Sequence, residues 1–172
     1  MKKTYLILIL VVIIILIGVT IYIINKSNLD EKNLLLINFK TEDLINSIVE
    51  NENIKKDMNA LTMKNITELE MNNMYNIDID LLVQYSGLVP MINLSADEII
   101  IVEVKDSNDI DSIKLKFKER ADEIAKNFEN YLQDEYELAK NALIYSKGKY
   151  VIFAISDNNN EIKNIFENKF ND

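Results

Sequence analysis

Carboxylates are the only abundant side chains of catalytic type in this chain, and two clusters of them have suggestive spacing. In Asp106-Ser107-Asn108-Asp109-Ile110-Asp111, oxygen donors recur as they do in a calcium-binding loop. The EF-hand loop needs a donor at its fifth place and Gly at its sixth. Ile110 and Asp111 stand there instead, so helix capping accounts for these residues and no metal ligands are assigned. Asp78 and Asp80 could pair for glycosidase-type acid and base work, though such pairs usually sit in solvated turns. Six tyrosines follow residue 40: Tyr75, Tyr85, Tyr131, Tyr136, Tyr145 and Tyr150. Aromatic side chains are enriched at protein contacts, and Tyr85, Tyr131 and Tyr136 are the candidates for an interaction surface. The competing account is that a chain without Trp fills its core margins with Tyr and Phe.

What is missing excludes more than these clusters admit. The 172 residues contain no His and no Cys, and the only Arg is Arg120. Ser-His-Asp triads, Cys nucleophiles, thiolate or imidazole zinc sites and iron–sulfur clusters are therefore ruled out. Ser86-Gly87 lacks the pattern of a nucleophile elbow. No cofactor site is read from the sequence. The formal net charge is −9, from 19 Lys plus Arg against 28 Asp plus Glu. Such a surface repels phosphate backbones, so nucleic acid is not an expected partner.

The elements that must position these groups begin with an apolar run. Residues 4–24 carry no charge, and 21 residues at about 1.5 Å each give roughly 31 Å, near the bilayer hydrocarbon thickness. Tyr5 and Tyr22 fall near its ends. A cleaved signal has a shorter apolar region and a small-x-small site, which this run lacks. The reading is one uncleaved transmembrane anchor, with Lys2 and Lys3 placing the N-terminus in the cytoplasm and the rest outside the cell. The expected divisions are 1–25 for the cytoplasmic tip and anchor, 26–40 for a juxtamembrane linker, and 41–172 for an extracytoplasmic α+β domain.

Within that domain, Thr41 and Thr67 are placed to cap short helices. Residues 83–89 form a strand that Pro90 ends, and residues 98–105 form the strongest strand in the chain. A long helix follows, with Ile110, Ile113, Phe117, Ala121, Ile124, Phe128 and Leu132 on one stripe. Strands at residues 142–146 and 149–155 flank Lys147-Gly148, a hairpin signal, and Asn158 with Glu161 suggests a capping box on a last helix. The fold class expected is α+β: a transmembrane helix, then a small mainly antiparallel sheet of about four strands with a ββαββα-like core covered by helices. The expected core comprises Ile100, Val102, Val104, Ile113, Phe117, Ile124, Phe128, Ile144, Val151, Phe153, Ile155, Ile165 and Phe166. Both 101–108 and 151–158 read as a strand running into an Asp/Ser/Asn turn and a helix; ordinary capping explains this echo, and a duplicated unit is the alternative.

The residues Tyr75-Asn76-Ile77-Asp78, Leu81-Leu82, Tyr85, Pro90-Met91 and Glu98-Ile99 form one group of matches. A second is the run 131–141 followed by 146–153. Together they resemble the bacterial family called domain of unknown function 4358, found mostly in Firmicutes behind signal peptides or lipoprotein signals. The resemblance implies a small extracytoplasmic α+β domain and no activity, cofactor or catalytic residue. The functional expectation is a membrane-anchored, non-catalytic binding or interaction module of the cell envelope, with an envelope protein as a possible partner. Two alternatives stand beside it: an envelope hydrolase using carboxylates or Ser with Lys, and an accessory subunit of a membrane complex.

Overall fold

In the computed structural model, seven consecutive buried residues, Glu98–Val104 (β3), run through the middle of a five-stranded antiparallel sheet. The structure describes residues 2–34, 37–57, 62–92 and 94–171, without the side chains of 2–11, 27–28 and 30–33. The other strands are Met63–Asn65 (β1), Leu82–Pro90 (β2), Leu143–Lys147 (β4) and Tyr150–Ile155 (β5), in the order β1-β2-β3-β5-β4. The described helices are Lys2–Leu34 (α1), Thr41–Glu50 (α2), Glu52–Asp57 (α3), Glu68–Tyr75 (α4), Ile110–Phe128 (α5), Gln133–Lys140 (α6) and Asn159–Asn168 (α7).

The chain divides into two compact units, Met1–Ile37 and Asn38–Asp172. In the first, the large apolar side chains of α1 from Val12 to Ile24 are exposed. The expected anchor is corrected here, because among the described residues no helix is long and apolar enough to cross a membrane. The apolar stretch with described side chains, residues 12–24, covers only about 20 Å, short of the roughly 30 Å required. The rest of the expected span, residues 4–11, has side chains outside those described, and Leu35 and Leu36 lie outside the described residues altogether.

In the second unit both faces of the sheet are covered. Successive strand residues point to opposite faces. Ile100, Val102 and Val104 of β3 join Val151, Phe153 and Ile155 of β5 in a core with Ile113, Phe117, Ile124 and Phe128 of α5. Ile99, Ile101, Ile152 and Ala154 occupy the other face and are equally buried, on the side of α2 and α7 with Leu44, Ile48, Ile162 and Phe166. The expected sheet of about four strands covered by helices is therefore corrected to five strands, with the helices in two layers. Of the expected core, Ile144 and Ile165 are half-buried and the other eleven residues are buried.

Local signals acted in several places. Thr67 and Glu70 form a complete capping box on α4, which ends at left-handed Asn76. Gly148, with φ 59°, turns the β4–β5 hairpin. The side chain of Asn158 makes no capping bond on α7, and α5 ends at Phe128, short of Leu132. Gly87 allows β2 and β3 to approach, since a Cβ there would lie 2.6 Å from the Ile99 carbonyl oxygen.

Candidate functional site

Arg120 occupies the α5 stripe between Phe117 and Ile124, a position that points it into the protein. Its partner comes from the first residue of β3. Glu98 lies on the same sheet face as Ile100 and Val102, so its carboxylate is driven under α5 and only 1% of it is exposed. The guanidinium grips it sideways, with Nη2 2.5 Å from Oε1 and Nε 3.3 Å from Oε2. The Tyr75 hydroxyl, brought by the last turn of α4, donates to Oε2 at 2.5 Å. The Arg120 guanidinium also stands 5.4 Å from the centre of the Tyr75 ring.

Burial drives the pKa of Tyr75 well above its usual value, and the charge and hydrogen bond of Glu98 push it further. Burial alone would pull Arg120 down, but its hydrogen bond and charge interaction with Glu98 prevail and raise it. The chain's one arginine is thus a permanent cation neutralised from beneath.

Above it opens a cleft of about 470 Å³, lined on the α5 side by Arg120, Glu123, Ile124, Asn127 and Phe128, with Met74 from α4 and Tyr131 beyond the helix end. That volume is in the range of small-ligand sites, about 300–1,000 Å³. Glu123 reaches Arg120 Nη1 at 3.3 Å while 58% of its side chain is exposed. The cleft therefore combines apolar side chains, an exposed aromatic ring, the polar groups of Glu123 and Asn127, and a guanidinium.

The candidate tyrosines are not brought together. Tyr131 is exposed and lines this cleft, whereas Tyr85 and Tyr136 pack half-buried against the core. On the side away from β3, β1 pairs with Leu88–Pro90 and the Ile66 amide donates to the Gly87 carbonyl, while Thr41 bonds the side chains of Gln84 and Ser86. Asp78 and Asp106 accept from the backbone amides of Asp80 and Asn108, as turn caps do. Among the described residues, no three His, Cys, Asp or Glu residues converge as metal ligands.

A wider cleft of about 630 Å³ lies between α6 and the start of α7, lined by Asp134, Glu137, Asn141, Asp157 and Asn160, with Leu138 the one large apolar contributor. The Arg120 cleft differs from it in having a buried, ion-paired cation at its edge, which makes it the candidate site. Nearby, burial raises the pKa of Asp97, and Glu135 and Asp157 add to the shift.

A second polar cluster occupies the opposite face of the sheet. Gln84, Glu103 and Tyr150 lie in one row across β2, β3 and β5. Gln84 Nε2 donates to Glu103 Oε2 at 2.6 Å and to the Phe39 carbonyl at 2.8 Å. The Tyr150 hydroxyl donates to the same carbonyl at 3.1 Å and accepts from the Phe39 amide at 3.1 Å, and the two rings stack at 4.1 Å. This cluster fastens residues 39–41 to the sheet.

Comparison with known proteins gives one match. The family described as Domain of unknown function (DUF4358) matches residues 55–156, more than half of the chain, and the chain belongs to that family. The matched range contains Tyr75, Glu98, Arg120 and Tyr131 but excludes Phe39 and Thr41. No curated protein and no solved structure matches the chain.

Proposed function

We propose that this DUF4358 member is a non-catalytic binding module of the cell envelope and that its ligand occupies the cleft beside α5. The observation that carries the reading is a single arginine, locked by a buried carboxylate and a buried tyrosine, at the edge of a cleft of mixed polar and apolar lining. Fixed donors of this kind orient a ligand without any proton transfer. Envelope placement follows what the family resemblance implies. A hydrolase would need buried acids converging with Lys or Ser in one pocket. Among the described residues the two buried acids, Glu98 and Glu103, instead lie on opposite faces of the sheet, and Asp78 and Asp80 are exposed.

Photo-cross-linking tests the reading. A photoreactive amino acid replaces Tyr131 in the full chain, and the same residue replaces Leu69, which is exposed outside the cleft. Irradiation of intact cells should give a discrete adduct from position 131 and none from position 69. Equal labelling at both positions would overturn the assignment of the site.

A further inference from the structure

The chemical class of the ligand can be read from how Arg120 is used. The side edge of its guanidinium, Nε with Nη2, is taken by Glu98. On the end edge, Nη1 makes a 3.3 Å contact with Glu123, which lines the cleft together with Arg120. That contact is long for a charge-assisted bond, and the side chain making it is mostly in water. Exposed pairs of this kind contribute little, so Glu123 can leave at small cost. It shows which group the edge accepts, a carboxylate, without filling the cleft behind it.

The geometry points to a ligand with a carboxylate on an apolar body: the carboxylate replaces Glu123 on the end edge of Arg120, and the body lies on Met74, Ile124, Phe128 and Tyr131. This rests on the cleft being the binding site. The competing class is an amphiphilic amine drawn to Glu123. An amine would set its charge against Arg120 and leave the end-edge donors without a partner. The net charge of −9 slows the approach of an acid, but at about 0.1 M salt that field is screened within roughly 10 Å, and the contact itself is local. A free small acid and the C-terminal carboxylate of a peptide share this chemistry.

The test uses the full chain with labelled Met and Ile methyl groups, titrated with 4-phenylbutyrate, 4-phenylbutyramide and 4-phenylbutylamine. A second arm uses N-acetyl-Ala-Leu-Phe with a free or an amidated C-terminus. The methyl signals of Met74 and Ile124 should move, with the carboxylate form binding about tenfold tighter than its amide in at least one arm; the arm with the larger ratio identifies the source. Glu123→Gln, an exposed change with no folding consequence, should tighten acid binding severalfold because the internal competitor is gone. Arg120→Lys should abolish the acid–amide difference. If the amine binds tightest, or Glu123→Gln weakens the acid, the ligand class is overturned while the site stands. If no probe moves Met74 or Ile124, both are lost.

Discussion

Glu98 and Glu103 are buried on the same strand, 1% and 8% exposed, yet they are satisfied by different means. Glu98 has a cation and a phenol, Glu103 has neutral donors, and among the described residues no ion pair includes Glu103. Burying a carboxylate is costly, and the cost can be met by a counter-charge or by hydrogen bonds. The choice decides what else each region can do. A guanidinium has donors to spare after binding one carboxylate, so the Glu98 end has a second edge, paired with exposed Glu123, beside a cleft. An amide and a phenol are used up by Glu103 and the Phe39 backbone, so that end becomes a fastening.

Removing the counter-charge should have the largest effect. Arg120→Met strands Glu98 without its cation and should cost about 3–5 kcal/mol in urea unfolding. A cost below about 1 kcal/mol would show that Tyr75 alone suffices and that the comparison is misdrawn. Next is Gly87→Ala, where the new methyl meets the Ile99 carbonyl between the two glutamates. It should cost about 1–3 kcal/mol, and amide exchange should show both ends of β3 loosened together.

The Glu103 end should respond less, and in a pH-dependent way. The Tyr150 phenol is raised to about 12 by burial and by the charge of Glu103, against the opposing effect of its bond with the Phe39 backbone. Its unfolded value is about 10. A raised pKa favours the protonated form in the fold, so this stabilisation is whole below about pH 10 and is lost as pH rises through about 12. Tyr150→Phe should cost about 0.5–1.5 kcal/mol near neutrality, and the gap to the wild type should close between pH 10 and 12. Unfolding curves across that window check the sign. The smallest effect is expected from Glu103→Gln, which keeps an acceptor for Gln84 and strands no cation. Its change should stay within about 1 kcal/mol.

How far the sequence carried varies by element. The strongly patterned pieces were legible: β3 by its β-branched run, α5 by its stripe, and the hairpin by Lys147-Gly148. The strand β1 was not, because Met63-Lys64-Asn65 is short and polar and forms only by pairing with Leu88–Pro90. Ile99, Ile101, Ile152 and Ala154 were left out of the expected core because the runs 99–102 and 151–155 are continuously apolar, and such a run gives no alternation to separate one covered face from two. The site left a signal that went unread. Arg120 falls at i+3 from Phe117 and i−4 from Ile124, inside the apolar stripe, and Glu98 shares the parity of Ile100, Val102 and Val104. Each was a charge placed on a core face. Their pairing across 22 residues, with Tyr75 beneath, needed the fold.

The central claim is that the Glu98 end binds and the Glu103 end fastens. It is tested most directly by titrating the methyl-labelled full chain with a soluble extract of the producing cell's envelope. The account predicts concerted shifts at Met74 and Ile124, with Ile48 and Ile162 on the opposite face of the sheet unmoved. Shifts confined to Ile48 and Ile162, or to the exposed Met91 and Ile92 of the β2–β3 loop, would contradict it.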